Sequence, residues 1–72
     1  MKYKCEDFSP MERVAYIPTH AHGDIKHKDV EYGKVSSQNG KYVFVKYDHA
    51  VSRLSWNGAT SQATLPEDLV KV

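Results

Sequence analysis

Tyr32-Gly-Lys-Val-Ser-Ser-Gln-Asn-Gly-Lys-Tyr-Val-Phe-Val-Lys-Tyr47 is the stretch that decides the fold class of this chain. Two runs rich in β-branched and aromatic residues flank Asn39-Gly40, the pair that most strongly signals a β-hairpin because both residues accept positive φ. Register follows from the valines. A two-residue loop pairs position 35 with 44 and sets Val43 and Val45 opposite Ser36 and Lys34. A three-residue loop, Gln38-Asn39-Gly40, pairs 35 with 43 and 33 with 45. It gathers Gly33, Val35, Val43 and Val45 on one face, and since a one-residue slip would turn that whole set over, patterning favours it. The opposite face then carries Tyr32, Lys34, Ser36, Tyr42, Phe44 and Lys46.

Outward from the hairpin, Arg13-Val-Ala-Tyr-Ile17 reads as a first strand stopped by Pro18, and Thr60-Ser-Gln-Ala-Thr64 as a fourth. Leu65-Pro-Glu-Asp-Leu69 has Pro at its start and acids in its first turn, the pattern of one tight helical turn. Val70-Lys-Val72 closes as a last strand. Residues 18–30 form a polar loop rich in His and Lys, and His49 to Ala59, containing Trp56-Asn57-Gly58, reads as a second loop. Residues 1–12 are a partly ordered N-terminal segment in which Asp7 or Ser9 can cap a short helical turn through Pro10-Met11-Glu12. The domain proper is 13–72.

Seventy-two residues allow one domain and bury only about 60% of the surface that the unfolded chain exposes. That leaves little scaffold for a catalytic cleft. The formal charge of +1 supplies no global field toward nucleic acid or an acidic membrane. Residues 26–53 nevertheless hold six cations (Lys26, Lys28, Lys34, Lys41, Lys46, Arg53) against Asp29, Glu31 and Asp48. The single cysteine, Cys5, rules out an internal disulfide and a cysteine-pair zinc site, so a reducing, cytoplasmic setting is expected. No apolar run reaches the length of a membrane span, and no signal-peptide core is visible.

Val14 and Tyr16, Gly33-x-Val35, Val43-x-Val45, and Leu69 with Val72 stand where SH3-like small barrels carry their core. The chain resembles that superfold over residues 13–72, most nearly its KOW and Tudor members, and is similar to short accessory proteins encoded by phages and prophages. The resemblance implies an all-β, five-stranded barrel with a long first loop and a short helical turn before the last strand. It also implies a role as a modulator of a host factor. One fold hosts many functions, so the site has to be argued separately.

Three groups of residues suggest chemistry. Tyr32, Lys34, Tyr42, Phe44 and Lys46, with Trp56 on its loop, form an aromatic and basic surface suited to a protein partner. The same residue types suit single-stranded DNA or RNA, which makes nucleic-acid binding the alternative. Thr19-His-Ala-His-Gly-Asp24 resembles the T-H-x-H-x-D core of the metallo-β-lactamase superfamily, which implies zinc ligation by His20, His22 and Asp24 if 19–24 is extended. His27 and His49 are further imidazoles within reach of such a site. The next position is Ile25 where the superfamily has His, and 72 residues leave no room for its later ligands, so only a local site follows.

No nucleophile and base pair up around Cys5 or the serines. The expectation is therefore a non-enzymatic, cofactor-free interaction module. Homodimerisation through exposed edge strands is a further expectation.

Overall fold

The computed structural model describes residues 3–72. Its elements are β1 (Arg13–Tyr16), β2 (Glu31–Gln38), β3 (Val43–Tyr47), α1 (Asp48–Gly58), β4 (Gln62–Thr64) and β5 (Leu69–Lys71), with 3-10 turns at Cys5–Asp7, Thr19–Ala21 and Pro66–Asp68. The five strands form one sheet in the order β4-β3-β2-β1-β5, every neighbouring pair antiparallel. The Pro66 turn lies where proline and the acids place it. The chain is thus mostly β, with five strands as expected. It is not a closed barrel: β4 and β5 stay at opposite edges of the sheet, and each is only three residues long.

The segment after β3 departs from expectation. Instead of a loop from His49 to Ala59, the backbone winds into α1, broken at Ser55 (φ 66°, ψ 170°). Asp48 in the first turn complements the helix dipole. No residue of α1 is fully buried, and Ala50, Val51 and Trp56 are its half-covered members. So narrow an apolar stripe, followed by Ser55-Trp-Asn-Gly58, carries little helical periodicity in the sequence.

The hairpin register also needs correction. Val35 pairs with Val45, Lys34 with Lys46 and Gly33 with Tyr47. Toward the tip, Ser37 faces Phe44 and Gln38 faces Val43, with a bulge between Val35 and Ser37. The loop therefore spans four residues, 39–42. Asn39 organises it: its Oδ1 accepts from the Lys41 and Tyr42 amides at 2.9 and 2.8 Å, and its amide donates to the Tyr42 carbonyl at 3.1 Å. Gly40 supplies the positive φ of 88°. Relative to the three-residue loop, Val35 slides by two positions, an even number, so the faces are preserved. Gly33, Val35, Val43 and Val45 are all buried.

The buried face of the sheet joins Val14, Val35, Val43, Val45, Tyr47 and Leu69 to Cys5 and Phe8, with Tyr3 and Tyr16 packed against them. Residues 3–12 thus contribute to the core. They are pinned by reciprocal bonds between Met11 or Glu12 and Val35: the Met11 amide reaches the Val35 carbonyl at 2.7 Å, and the Val35 amide reaches Glu12 at 2.9 Å. A turn forms over Ser9–Glu12 before β1, but it is not helical, because Met11 has φ 71°, and neither Asp7 nor Ser9 caps it through its side chain: the Glu12 amide donates to the Ser9 carbonyl and the Ser9 amide to the Glu12 carboxylate. Gly33 marks a close approach. A Cβ there would lie 2.7 Å from the Lys46 carbonyl oxygen and 2.9 Å from Tyr47 Cα.

Candidate functional site

Side chains alternate across a strand, so residues paired across neighbouring strands share a face. Arg13 on β1 pairs with Lys34 on β2, and Lys34 pairs with Lys46 on β3. Three cations therefore stand in a transverse row on the outer face of the sheet. Like charges directly opposite each other destabilise a sheet; direct contacts relieve two of the three, and Asp48 attracts Lys34 from a longer distance. Arg13 forms a two-pronged pair with Asp48, Nη1 to Oδ1 and Nη2 to Oδ2, both at 2.6 Å. These hydrogen bonds hold the Asp48 carboxyl below its ordinary range and push the Arg13 guanidinium up. Lys46 donates from Nζ to the Trp56 carbonyl at 2.7 Å and sits 4.6 Å from the centre of its ring. Among the described residues, Lys34 makes no ion pair within 4.0 Å.

A groove of about 330 Å³ opens over this row. Arg13, Lys34, Lys46 and Asp48 form its polar part, and Met11, Val51 and Trp56 its apolar part. Two of its neighbours hold unusual backbone. Met11 has φ 71°, and Ser55, one residue before Trp56, lies in a region that is almost exclusive to glycine. The break at Ser55 ends the regular run of α1 and lets Trp56 present its ring and carbonyl to Lys46.

Of the residues expected on the aromatic and basic surface, Lys34, Lys46 and Trp56 come together in this groove. Tyr32 lies beside it, its ring 5.8 Å from the Arg13 guanidinium carbon. Phe44 lies further along β3, half-buried, at the level of Ser37 and Ala63. Tyr42 is not part of the groove: it borders a separate depression with Tyr16, Tyr47 and Thr64, and Lys41 rests 5.4 Å from its ring. Met11, Arg13, Asp48 and Val51 are the residues that reading the sequence misses. Arg13 and Lys34 become neighbours only through the β1–β2 register, which no local pattern specifies across a long loop.

The polar loop between β1 and β2 is a succession of tight turns. Backbone bonds run from Ala21 to Pro18, His22 to Thr19, Asp24 to Ala21, His27 to Asp24 and Val30 to His27, all between 2.9 and 3.1 Å. Because Thr19–Ala21 is a 3-10 turn and His22 is left-handed (φ 50°), residues 19–24 are not extended. His20, His22 and Asp24 therefore do not converge. Asp24 Oδ1 instead accepts from the Lys26 amide at 2.9 Å, and His22 is exposed. His20 meets Asp29 and His27. His49 lies elsewhere, 3.5 Å from Glu31.

No protein-family model matches the chain, and comparisons with curated proteins and with solved structures found no match. Among the described residues, no helix is long and apolar enough to cross a membrane.

Proposed function

We propose that the protein is a non-enzymatic binding module, built on a partly open SH3-like sheet, whose outer-face groove takes a short acidic and apolar segment of a partner protein. The antiparallel order β4-β3-β2-β1-β5 and the Pro66 turn before β5 support the SH3-like reading. The observation that carries the function is the cation row. A sheet that sets Arg13, Lys34 and Lys46 side by side gives up stability locally, and such exceptions concentrate at functional sites. Lys34 is the cation left to receive a carboxylate, while Met11, Val51 and Trp56 offer a surface for an adjoining apolar side chain.

Charge and ring placement favour a polypeptide over nucleic acid. Asp48 would repel a phosphodiester chain continuing past Arg13, whereas a single carboxylate can stop at Lys34. The rings of Tyr32, Tyr42 and Trp56 already face cations of the same chain rather than standing open for stacking bases.

The test is capture from a cell lysate by the wild-type protein and by the Lys34→Ala and Trp56→Ala variants, with and without nuclease. A protein held by wild type, released by both variants and indifferent to nuclease is the expected result. Retention that nuclease abolishes would replace this reading with nucleic-acid binding. Retention unchanged in both variants would remove the groove from the function.

A further inference from the structure

We infer that His20, His27 and Asp29 form a site for a first-row divalent cation, with zinc the best match. The ligand atoms of these three residues lie within 4.8 Å of one another. The His20 Nε2 to Asp29 Oδ2 distance is 2.6 Å, the His27 Nδ1 to Asp29 Oδ2 distance is 4.0 Å, and the two imidazole rings meet edge to face at 5.3 Å. Two imidazoles and a carboxylate are a donor set that zinc accepts, with bonds of about 2.0–2.2 Å. Ligand atoms around one zinc ion stand roughly 3.3 Å apart at that bond length and tetrahedral angles. Loading therefore requires the His20–Asp29 pair to open and the His27–Asp29 pair to close, each by about 0.7 Å. His20 and Asp29 are exposed side chains and His27 is half-exposed, so rotation of the side chains supplies both movements.

The backbone is arranged in advance for this convergence. The left-handed His22 and Gly23 (φ 50° and 78°) turn the chain back, and the chained turns from Pro18 to Val30 fix its course. Residue 20 is thereby set against residues 27 and 29, although seven and nine positions separate them. The Asp29 amide donates to His27 Nδ1 at 3.0 Å, so that nitrogen is an acceptor in the unloaded loop, and a metal at Nδ1 would take the place of this hydrogen bond. The metal would replace the His20–Asp29 hydrogen bond as the tie across the loop and would keep a coordination position open to water, since the chain supplies three ligands.

The probe is zinc ion alone, titrated calorimetrically into the intact protein, with cobalt substitution to read coordination geometry from its visible absorption. Wild type is expected to bind one equivalent. His20→Ala and His27→Ala should each weaken binding on the order of tenfold or more, a loss that even outer-shell substitutions can reach. His22→Ala and Asp24→Asn should bind as wild type does. Absence of zinc uptake by the wild type would overturn the site. Equal losses in His22→Ala and His27→Ala would also overturn it, because the cluster assigned here would not be the ligand set. All four positions lie in an exposed turn region, and unchanged melting curves without metal would show that the variants remain folded.

Discussion

Tyr47 Oη lies 2.9 Å from Thr64 Oγ1 inside the protein, where β3 and β4 join, and both side chains are buried. Burial pushes the Tyr47 phenol up to about 12, against the partial opposing effect of the Thr64 hydrogen bond. An unfolded tyrosine ionises near pH 10. Between about pH 10 and 12 the unfolded chain therefore loses a proton that the native one keeps, and stability falls as pH rises through that window. Tyr47→Phe should flatten this alkaline loss in denaturation midpoints measured from pH 9 upward. At neutral pH it should cost about 1 kcal/mol, because Thr64 Oγ1 retains only its 3.4 Å contact to the Gln62 carbonyl.

Gly33→Ala should destabilise the protein by about 1–3 kcal/mol, the usual cost of overpacking. The new methyl would press on the Lys46 carbonyl oxygen and Tyr47 Cα, which are main-chain atoms of β3, and on Val45 Cγ1 at 2.9 Å. No side chain can turn aside to relieve the first two. Urea denaturation should show a lower midpoint at unchanged slope. A midpoint equal to wild type would mean that the two strands separate at no cost.

Ser55→Gly should raise stability by about 1 kcal/mol, since glycine occupies φ 66°, ψ 170° without the penalty that serine bears. The Ala59 amide keeps its 3.0 Å bond to the carbonyl of residue 55. Thermal unfolding provides the measurement, and the prediction fails if the melting temperature drops.

Lys34→Gln should stabilise the sheet by a few tenths of a kcal/mol while abolishing partner capture. It removes the middle charge of the row and leaves the Arg13–Asp48 pair in place. Gain of stability with loss of binding separates a functional lysine from a structural one. A loss of both would show that Lys34 supports the fold.

Acid should reveal the Arg13–Asp48 pair. Its hydrogen bonds lower the Asp48 pKa, so the stabilisation is present above about pH 4, the unfolded value, and disappears as pH falls through the lower native one. Both side chains are substantially exposed, and solvent screening keeps the pair's worth at about 1 kcal/mol or less. A double-mutant cycle of Arg13→Ala and Asp48→Asn at pH 7 should report a coupling of that size, and a progressively smaller one as pH falls below about 4.

How much of this was legible in the sequence varied with how local the information is. The valines of β2 and β3 announce their common face through period-two alternation, and Asn39-Gly40 marks the tip. The loop length is not legible there, because the bulge leaves no mark beyond two adjacent serines, Ser36 and Ser37. Helix α1 was hidden for a similar reason: its packing is shallow, and Trp56-Asn57-Gly58 resembles a loop. The groove depends on Arg13 meeting Lys34 and Asp48, contacts between residues far apart in the chain. In the histidine loop the residue types point toward metal, but the spacing of His20, His22 and Asp24 brings them together only on an extended backbone, and the positive φ of His22 and Gly23 turns the chain back.

The bulge at Ser36 also bears on which changes of length the hairpin can absorb. Inserting two residues at the tip preserves the inward direction of every core valine. Inserting or deleting one residue would normally invert a strand, yet gain or loss of a bulge restores its sense. Loop closure costs only about 0.6 kcal/mol for each doubling of length. The segment 39–42 is thus a natural port for grafted peptides, and the length of this tip is free to drift while the valine interior stays the same.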